Sequence, residues 1–443
     1  MLNFRLLFED MMRNIYLLTL AILTGFTSTQ AQSIAISEFN YNSDTYNNSG
    51  DWVELHNYGA SAINLGGWKV KNELGGTYTI PGGISLAPDA YLVVVEWIDT
   101  FLMVHPDVSN YIGSTAFSLD NMSGSVLLYD GGGALVRQIN YVDSVPWPRA
   151  ADGYGPTVQI LDEAGDENDP DNWIAGCVLG TPGSAYADCN YDIVISEINY
   201  NSLLGYNPGD WVEIYNRGAS SVSLSGWILR DSRNNNAYLI PGGTSLAAGS
   251  RLVISDSLES FTVIFPGVTN VIGEPTFHFS NSGDAVRLYS SDNTIQYTVR
   301  FNDKSPWPTD ADGNGFTLEN VNEGGNPNIT ESWVAGCLFG SPGNPFVLPC
   351  PNSIQTYDPQ NIQVGPNPFT EMTHVSLLDA AGISEIRIYD LQGTLIQYTQ
   401  PMNSYYTWNG TNQQNLAVPS GMYVMHIITK GGANAIVQVI KAG

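Results

Sequence analysis

Short runs in which apolar and polar residues alternate, separated by turn-forming residues, extend along most of the chain. Such runs predict β-strands, because successive side chains of a strand point to opposite faces of a sheet. The strands predicted in the first part of the chain are residues 35–39, 52–56, 67–70, 91–95, 125–129 and 134–141. Only residues 99–105 and 257–264 have a pattern that could form short helices. Many short strands at this spacing predict a β-sandwich or barrel.

The same succession of motifs occurs twice along the chain. The matching segments are 34–42 and 193–201, 50–55 and 209–214, 80–83 and 240–243, 146–148 and 306–308, and 173–182 and 333–342. A duplication of this length predicts two tandem domains of one fold, at residues 32–190 and 191–350. Any function that the two domains share must therefore use residues that both copies contain.

A different β pattern follows the second copy. Residues 351–362 are predicted to form a linker, and residues 363–443 a small third domain. Within that domain, segments 386–389 and 394–397 predict a hairpin, because turn-forming residues join two short runs. Segments 421–429 and 435–441 predict a second pair of strands.

The first 31 residues have the three parts of a secretory signal peptide. Arg13 precedes an apolar run at residues 15–26, and the small residues Thr29 and Ala31 stand at the cleavage positions. The run is too short to span a bilayer, and no later stretch is long and apolar enough for a transmembrane helix. We therefore expect an exported, soluble protein.

Acidic residues outnumber basic residues by 43 to 16, which gives a formal net charge of −27. Because charged residues make up only 13% of the chain, uncharged polar residues must form much of the surface, as in turn-rich β structure. The acidity argues against a nucleic-acid partner, since phosphate backbones are bound by clustered Lys and Arg. We interpret the acidity as an aid to solubility.

Four cysteines lie at matching places, Cys177 and Cys189 after the motifs of the first copy and Cys337 and Cys350 after those of the second. We predict one local disulfide in each domain, formed in an oxidising compartment. Zinc binding is the less favoured alternative, because neither pair has Cys-x-x-Cys spacing or a nearby His.

Six carboxylates occur at matching positions in both copies. The pairs are Glu38 and Glu197, Asp51 and Asp210, Glu54 and Glu213, Asp143 and Asp303, Asp152 and Asp312, and Glu163 and Glu323. Paired carboxylates can perform acid–base catalysis on a glycoside or bind a hard cation. We favour structural roles, in which Glu38 and Glu54 accept hydrogen bonds from neighbouring backbone or Tyr hydroxyl groups, and Asp51 and Asp152 cap local turns.

No histidine is common to both copies. Tyr215 and Phe265 stand where the first copy has His56 and His105, and Ser118 stands where the second copy has His278. The sequence also lacks the Walker A, GxSxG and HExxH motifs. We therefore predict no catalytic residue and no cofactor-binding residue.

One acidic segment begins like a calcium-binding loop. Asp310, Asp312 and Asn314 place oxygen ligands at alternate positions. The twelfth position is Val321 in place of Glu, and Ala150 replaces Asp310 in the first copy, so the EF-hand pattern is incomplete. These three residues are weak calcium candidates, and a solvated loop is the favoured interpretation.

Four tryptophans are shared between the copies. The pairs are Trp52 and Trp211, Trp68 and Trp227, Trp147 and Trp307, and Trp173 and Trp333. We expect most of them to pack between the sheets. Trp147 and Trp307 are each flanked by two prolines in a predicted loop, and for these a contact with a ligand stays open.

The two copies resemble lamin tail domains, the immunoglobulin-like β-sandwiches found at the end of nuclear lamins and in many exported bacterial proteins. The resemblance covers residues 33–189 and 192–350. It rests on the ISE-x-NYN strand, the GDWVEL/I strand, the Gly-Trp that follows, and the closing Trp with Gly-x-Pro-Gly. It implies two tandem sandwiches, and since this sequence has no coiled-coil rod, filament assembly is not implied.

The C-terminal unit resembles a type A sorting domain of the type IX secretion system, as found in Bacteroidetes. The matching segments are PNPF at 366–369, IRIYDLQG at 386–393 and SGMYVMHI at 420–427. The resemblance implies export to the periplasm, passage across the outer membrane by the type IX secretion machinery, and attachment to surface lipopolysaccharide or release. A third adhesive β-domain is the alternative.

These features together predict an all-β protein, secreted or at the cell surface, with two disulfide-bearing immunoglobulin-like β-sandwiches and a small β-sandwich sorting domain. The expected function is non-catalytic, either adhesin-like binding of an extracellular glycan or protein, or a structural role in the envelope. Two alternatives stay open, an extracellular hydrolase that uses the shared carboxylates and a calcium-stabilised carbohydrate-binding module.

Overall fold

The computed structural model describes residues 33–113, 117–203, 206–347, 362–377, 382–390, 393–401, 404–430 and 434–442. The predicted signal peptide lies outside these residues, as do residues 351–361 of the predicted linker. The described parts are built from β-sheets arranged as sandwiches, which confirms the predicted fold class. None of the helices in these parts has the length and apolar character needed to cross a membrane.

The first domain has two facing sheets of short strands. Its strands are Ile34–Asn40 (β1), Trp52–Asn57 (β2), Ile63–Asn64 (β3), Lys69–Lys71 (β4), Thr77–Thr79 (β5), Ser85–Leu86 (β6), Tyr91–Val95 (β7), Tyr111–Gly113 (β8), Ser123–Tyr129 (β9), Leu135–Val142 (β10), Pro156–Ile160 (β11) and Trp173–Val178 (β12). One sheet has the order β12-β11-β1-β2-β7-β8, the other has the order β10-β9-β4-β5, and β3 pairs with β6. The helices are Ile98–Val104 (α1) and the short 3-10 helices Arg149–Ala151 and Pro170–Asn172.

The second domain repeats this topology. Its strands are Ile193–Asn199 (β13), Trp211–Asn216 (β14), Val222–Ser223 (β15), Ile228–Arg230 (β16), Tyr238–Leu239 (β17), Ser245–Leu246 (β18), Arg251–Ser255 (β19), Val271–Gly273 (β20), Ala285–Tyr289 (β21), Ile295–Arg300 (β22), Phe316–Asn320 (β23) and Trp333–Leu338 (β24). The sheets have the orders β20-β19-β14-β13-β23-β24, β17-β16-β21-β22 and β15-β18. The helices are Leu258–Ile264 (α2) and the 3-10 helices Thr309–Ala311 and Thr330–Ser332.

The C-terminal domain contains two smaller sheets. Its strands are Ile362–Gly365 (β25), Thr373–Leu377 (β26), Ile383–Tyr389 (β27), Leu395–Thr399 (β28), Tyr405–Trp408 (β29), Gly421–Thr429 (β30) and Asn434–Lys441 (β31). The sheets have the orders β25-β26-β29 and β28-β27-β30-β31. Both predicted strand pairs form, since β27 pairs with β28 and β30 pairs with β31 in antiparallel registers.

One predicted strand begins too early. The segment 67–70 contributes only its second half to β4, which begins at Lys69. Gly67 has a φ of +83°, and the Trp68 N–H donates to the Leu65 carbonyl at 3.0 Å. A turn therefore precedes the strand, because a positive φ is open to glycine and does not belong to a β-strand.

Each domain has its own hydrophobic core between its sheets. In β2, Val53 and Leu55 belong to the core of the first domain, whereas Trp52 points to the outer face of the same sheet and packs there with Phe101. This division follows from the alternation of side chains along a strand. The duplicated sequence thus produces two separate sandwiches and not one merged core in the described residues.

The outer face of the six-stranded sheet is covered as well, so that β1 and β2 are buried along their whole length. Helix α1 covers one part of this face, where Phe101 packs edge-on against Trp52 with ring centroids 6.1 Å apart. Helix α2 places Phe261 against Trp211 at 5.7 Å in the same way. Trp52 and Trp211 are therefore core residues beneath a helix.

The two copies contact each other through a buried ion pair. Asp44 Oδ2 lies 3.6 Å from Arg287 Nη1, and both side chains are at most 1% exposed. The Tyr289 hydroxyl donates to the same carboxylate oxygen at 2.7 Å. Tyr46 packs edge-on against Tyr289 at 5.6 Å and lies under the Arg230 guanidinium at 4.6 Å. This network fixes the two domains relative to one another.

A second set of contacts lies beside the strand ends of the two domains. The Arg300 guanidinium stacks over the ring of Tyr154 at 4.3 Å. The Asn326 side-chain amide donates to the Ala175 carbonyl at 2.6 Å. The Tyr154 ring also lies 5.3 Å from the Arg287 guanidinium, so these contacts continue the interface that the buried ion pair forms.

We expect Arg287→Met to destabilise the protein by roughly 3–5 kcal/mol, because Asp44 would then be a buried charge without its cation. The double variant Asp44→Asn, Arg287→Met should recover most of this loss, since no buried charge remains. Calorimetric melting curves measure both effects. Arg233→Met removes an exposed arginine and serves as the control; a single Arg287→Met variant with the wild-type Tm would contradict the role of the ion pair.

Candidate functional site

The shared glutamates lie together on the outer face of the six-stranded sheet. A β-bulge between Ile36 and Glu38 interrupts the pairing of β1 with β2 and sets Glu38 opposite Glu54. The corresponding bulge between Ile195 and Glu197 occurs in the second copy. A bulge redirects the side chains of its strand, and here it brings two carboxyl groups to one buried point in each domain.

A turn at residues 179–184, which we call the first closing turn, covers these glutamates. Its Thr181 N–H donates to Glu38 Oε1 at 3.1 Å, and its Gly183 N–H donates to Glu54 Oε2 at 2.5 Å. The bulge residue Ser37 donates its hydroxyl to Glu54 Oε1 at 2.7 Å. The two carboxyl groups therefore act as the acceptors that hold the turn on the sheet.

The second closing turn, residues 339–344, is held in the same way. The Ser341 N–H donates to Glu197 Oε1 at 2.9 Å, and the Gly343 N–H donates to Glu213 Oε2 at 2.5 Å. Ser196 donates its hydroxyl to Glu213 at 2.8 Å. The predicted structural role thus has a physical basis, although the donors come from a distant turn and not from neighbouring strand backbone or Tyr hydroxyl groups.

The outermost shared glutamates, Glu163 and Glu323, are each held by a basic residue that packs on an aromatic ring, and this pair differs between the copies. In the first copy, His56 Nδ1 lies 2.6 Å from Glu163 Oε1, and the His56 ring stacks on Tyr91 at 4.0 Å. His56 and Tyr91 are cross-strand partners on β2 and β7. The imidazole therefore supports the outer glutamate while one face of its ring is covered.

In the second copy the two residue types exchange strands. Tyr215 on β14 is the cross-strand partner of Arg251 on β19, and the guanidinium lies 4.1 Å from the Tyr215 ring centroid. Arg251 Nη2 contacts Glu323 Oε1 at 3.0 Å, and its Nη1 contacts Glu213 Oε1 at 2.8 Å. The site keeps an aromatic residue beside a basic residue, and the basic residue now reaches the inner carboxyl as well.

The second copy also contains a third buried carboxyl group. Glu319 stands on β23 opposite Glu197, where the first copy has Gln159 opposite Glu38. The Ser341 hydroxyl donates to Glu319 Oε1 at 2.7 Å. An additional acid and the permanent positive charge of Arg251 therefore occur together in the same domain.

Burial raises the pKa of these carboxyl groups, because the ionised form loses its hydration. Desolvation raises the pKa of Glu38 to about 7. Desolvation, with repulsion from Glu38, raises the pKa of Glu54 to about 9. In the second copy desolvation raises the pKa of Glu319 to about 7. Folding therefore favours the protonated form of each of these groups.

Two other shared aspartates bind distant parts of their domain. Asp51 Oδ2 accepts the Leu119 N–H at 2.6 Å, and Asp210 Oδ2 accepts the Phe279 N–H at 2.8 Å. The prediction that Asp51 caps a local turn was therefore wrong, because its partner lies 68 residues further along the chain.

The remaining shared aspartates also lie in structural surroundings. Asp152 Oδ1 accepts the Asn42 side-chain amide at 2.7 Å, which ties the loop after β10 to the end of β1. In the described structure Asp303 Oδ1 is buried without a hydrogen-bond partner. Asp143, the residue of the first copy that matches Asp303, donates its backbone N–H to the Met122 carbonyl at 2.8 Å.

The three calcium candidates do not form one cluster of buried ligands. Asp312 Oδ1 accepts the Asn201 side-chain amide at 2.6 Å, as Asp152 does in the first copy. Asp310 and Asn314 are exposed, and the Asn314 amide donates to the Asp312 carbonyl at 3.2 Å. The shared aspartate thus has a structural partner, and calcium binding stays a prediction.

A different group of possible metal ligands occurs in the second copy. Ligand atoms of Asp210, Asp256 and His278 lie within 4.8 Å of one another. His278 Nδ1 lies 2.5 Å from Asp256 Oδ2, and this hydrogen bond raises the pKa of His278. Asp210 accepts a backbone N–H and Asp256 Oδ2 pairs with His278, whereas in the described residues Asp256 Oδ1 is buried without a hydrogen-bond partner.

A disulfide follows the closing turn of the first copy. Cys177 and Cys189 are bonded, with a Cα–Cα distance of 5.4 Å. Cys337 is also disulfide-bonded, while Cys350, its predicted partner, lies outside the described residues. The disulfide in the first domain keeps the segment after the closing turn close to β12.

The two Pro-Trp-Pro loops lie on the same cleft between the domains, which we call the interdomain cleft. It has a volume of about 640 Å³, and both Trp147 and Trp307 line it. Trp147 stacks on Trp173 at 5.9 Å, and Trp307 packs against Trp333 at 6.1 Å with a tilt of 39°. The two tryptophans are 7% and 9% exposed, so a ligand in the cleft would reach only a small part of either side chain.

Sequence reasoning did not single out the basic residues of this cleft. Arg149, Arg300 and Lys304 line it, together with the carboxylate of Asp171. At each of these three basic positions only one of the two copies carries a positive charge. A comparison of the copies for such differences could have identified Arg149, Arg300 and Lys304. The search for shared residues passed over them, because a site between the domains does not need to be duplicated.

We expect the stability of the protein to fall as the pH rises from about 5 to about 9. The pKa values of Glu38 and Glu54 are raised above the usual value of 4.5, to about 7 and about 9. The contribution of the two protonated groups to the free energy of unfolding is fully present below pH 4.5. It is lost as the pH rises through their folded-state pKa values of about 7 and about 9. The loss is on the order of 1.4 kcal/mol per pH unit for each group while it is protonated only in the folded state.

Chemical unfolding at pH 5, 7 and 9 measures this dependence. Glu54→Gln removes one titrating group and should give a flatter profile, whereas Asp107→Asn, at an exposed position, should leave the profile unchanged. A Glu54→Gln variant with the wild-type pH dependence would show that this carboxyl does not carry the effect.

Gly180 in the first closing turn should not tolerate a side chain. Its φ is +75°, and an added Cβ would overlap Glu38 Oε1 and lie 2.8 Å from Thr157 Cγ2. We expect Gly180→Ala to destabilise the domain by about 3 kcal/mol, from backbone strain and overlap together. Gly82→Ala is the control, since a Cβ there meets nothing within 4 Å. Equal melting temperatures for the two variants would contradict the close packing of the turn.

Family models and solved structures match the chain as follows. The lamin tail domain model matches residues 27–143 and 188–303, together more than half of the chain. The model of the secretion system C-terminal sorting domain matches residues 363–442. Among curated proteins no match was found. Both lamin tail domain matches end before β11 and β23, so the closing turns lie beyond the matched segments.

Among solved structures, PorZ, a surface component of the type IX secretion system of Porphyromonas gingivalis, is 14% identical with a TM-score of 0.18, over 73% of this chain and 56% of PorZ. A DUF4876 family protein from Bacteroides thetaiotaomicron is 12% identical with a TM-score of 0.25, over 65% of this chain and 92% of that protein. Latent PorU from Porphyromonas gingivalis is 9% identical with a TM-score of 0.16, over 93% of this chain and 34% of PorU.

The chain spans about half the length of the PorZ structure that it matches, and these scores carry no argument about function. The family models, in contrast, match the segments that the sequence motifs indicated. The chain belongs to the lamin tail domain family, as a tandem pair of these domains followed by a type IX secretion sorting domain.

Proposed function

We propose that this protein is a non-catalytic binding protein in which two lamin tail domains are held together and act as one unit. The sorting domain marks a type IX secreted protein, which is secreted or located at the cell surface. The observation that carries the proposal is the buried network of Asp44, Arg287 and Tyr289 between the copies. A buried ion pair is costly unless its geometry is maintained, so it supports a fixed arrangement of the two domains.

The state of the shared carboxylates supports a function without catalysis. Glu38 and Glu197 are 0% exposed, and Glu54 and Glu213 are 1% exposed. A glycosidase needs two carboxyl groups on either side of an accessible bond. These groups instead lie under the closing turns and accept backbone hydrogen bonds, so the hydrolase alternative is disfavoured.

The fixed arrangement favours ligand binding over a purely structural role. A spacer needs only two stable domains, and flexible linkage would serve it equally well. The contacts of Tyr154 with Arg300 and of Asn326 with Ala175 instead create one cleft with walls from both domains. Clefts between domains are common places for ligand sites. Attachment to lipopolysaccharide after secretion stays a prediction.

The purified protein should retain ligands without changing them. We expect binding on arrays of extracellular glycans and proteins, and no turnover on panels of polysaccharide, phosphoester and nucleic-acid substrates. Arg287→Met, which loosens the interface, should weaken binding, whereas Arg233→Met should not. Turnover that is lost in Glu54→Gln or Glu213→Gln, in variants that stay folded, would overturn the proposal in favour of a hydrolase.

Secretion can be tested separately. A variant that lacks residues 363–443 should remain in the periplasm, because the sorting domain directs passage across the outer membrane. Cell fractionation and immunoblotting measure its location, with the Gly82→Ala variant of the full chain as the control. Surface delivery of the truncated form at the wild-type level would contradict this role of the domain.

A further inference from the structure

The interdomain cleft is a cationic site in a strongly acidic protein. The chain has only 16 basic residues against 43 acidic residues, yet Arg149, Arg300 and Lys304 line this one cleft. Arg149 lies beside the first Pro-Trp-Pro loop, and Lys304 and Arg300 precede the second. Burial and the nearby charge of Arg300 both lower the pKa of Arg149, which shows that the two guanidinium groups repel each other.

The three cations lack direct partners within the described part of the chain. None has a carboxylate oxygen within 4.0 Å. Arg300 Nη1 is buried without a hydrogen-bond partner, although its guanidinium stacks on Tyr154. Buried polar groups are normally paired, and the described residues leave this donor unpaired.

Carboxylates in the surroundings do not neutralise the cleft through contact. Asp171 lines it and is exposed, and Asp143 and Asp152 act on Arg149 only through longer-range attraction. Asp152 is already the acceptor of the Asn42 amide. The nearest negative charges therefore moderate the positive potential of the cleft and leave its hydrogen-bond donors free.

The duplication provides a control for the role of these residues. The positions that match Arg149, Arg300 and Lys304 in the other copy are Thr309, Asn140 and Ser144. Because the uncharged residues support the same fold, the sandwich does not require the cations.

The remaining lining has the chemistry of a saccharide site. Pro146 and Pro306 offer apolar surfaces beside the two tryptophans. The side-chain NH2 group of Asn302, whose oxygen already accepts the Lys304 N–H at 3.0 Å, can donate to hydroxyl groups. A cleft of about 640 Å³ falls within the range of small-ligand sites. Apolar rings beside amides suit a sugar ring, and the three cations suit an acidic substituent.

We propose that the interdomain cleft binds an acidic saccharide, whose carboxylate or sulfate groups are held by Arg149, Arg300 and Lys304 while a sugar ring lies against the two Pro-Trp-Pro loops. This inference rests on the proposed binding function and names the ligand class for the cleft. The net charge of −27 disfavours long polyanions such as nucleic acid, so a short acidic segment is the expected ligand.

Calorimetric titration of the full-length protein tests the proposal, with trigalacturonate as the carboxylate probe and an oligosaccharide of sulfated galactose as the sulfate probe. We expect saturable binding of at least one probe, which weakens as NaCl rises, because salt screens the attraction. Fully methyl-esterified trigalacturonate, which has lost its charge, should bind at least about tenfold more weakly than trigalacturonate, a difference of about 1.4 kcal/mol.

The variant that combines Arg149→Gln, Arg300→Gln and Lys304→Gln should reduce the affinity by tenfold or more. Because Arg300 also stacks on Tyr154 at the interface, the double variant Arg149→Gln, Lys304→Gln should weaken binding with an unchanged Tm. The matched control combines Lys69→Gln, Lys71→Gln and Arg233→Gln, which removes the same charge at positions outside the cleft. An equal loss of affinity in the control would overturn the proposal, because it would show a general effect of net charge.

Three further results would also overturn it. They are the absence of binding by both acidic probes, equal affinity for inorganic sulfate alone, and tighter binding of a single-stranded oligonucleotide of matched charge. If the arrays identify another ligand whose binding the cleft variant leaves unchanged, the cleft proposal fails and the proposed binding function stands. Turnover that depends on Glu54 would instead remove the binding function itself.

Discussion

The hydrogen bonds from the closing turn to the paired glutamates are the constraint on which the rest of each domain depends. They allow the six-stranded sheet to be covered on both faces, since the turn completes the layer that the helix begins. Two carboxyl groups can be buried there because Thr181 and Gly183 supply donors at the right places and because burial raises their pKa values, which favours the uncharged form. Without those donors the same carboxyl groups would oppose folding. Each copy thus has one motif near its start, the strand with its bulge, and one near its end, the Gly-x-Pro-Gly turn. The two motifs act together, because the turn donates hydrogen bonds to the glutamates beside the bulge.

The differences between the copies show which features this device tolerates. The pairing of a basic with an aromatic residue survives when His56 and Tyr91 are replaced by Tyr215 and Arg251, although the two residue types exchange strands. The outer glutamate keeps a basic residue as its partner in both arrangements. The sandwich therefore requires the contact and not the individual residues. Residues that serve binding and not folding are therefore best sought at positions where the two copies differ and no second substitution compensates. Arg149, Arg300 and Lys304 of the interdomain cleft lie at such positions.

Much of the fold could be predicted from the sequence, because alternation and turn residues act locally. The strand at Tyr91–Val95 has the predicted bounds for this reason. Strands β11 and β12 were not predicted, since Pro156–Ile160 and Trp173–Val178 have a weaker alternation. Strand β11 gains its place by pairing with β1, and β12 by pairing with β11. The donors to Glu38 could not be predicted either, because Thr181 is 143 residues away and only the folded sheet brings them together. The contact of Asp44 with Arg287 depends on how two finished domains meet, which no local pattern encodes.

The interface between the copies brings basic residues of both domains together, and in this way an otherwise acidic protein can bind an anionic group. At physiological salt the Debye length is about 8 Å, so surface carboxylates further away contribute little to the potential inside the cleft. Among the residues that line the cleft, Arg149, Arg300 and Lys304 stand against the carboxylate of the exposed Asp171, while Asp143 and Asp152 attract Arg149 without lining the cleft. This balance exists only while both domains keep their places, because Arg149 comes from one copy and Arg300 and Lys304 from the other. The buried Asp44–Arg287 pair therefore matters beyond stability, since loosening it would separate the charges that make the cleft attractive to an anion.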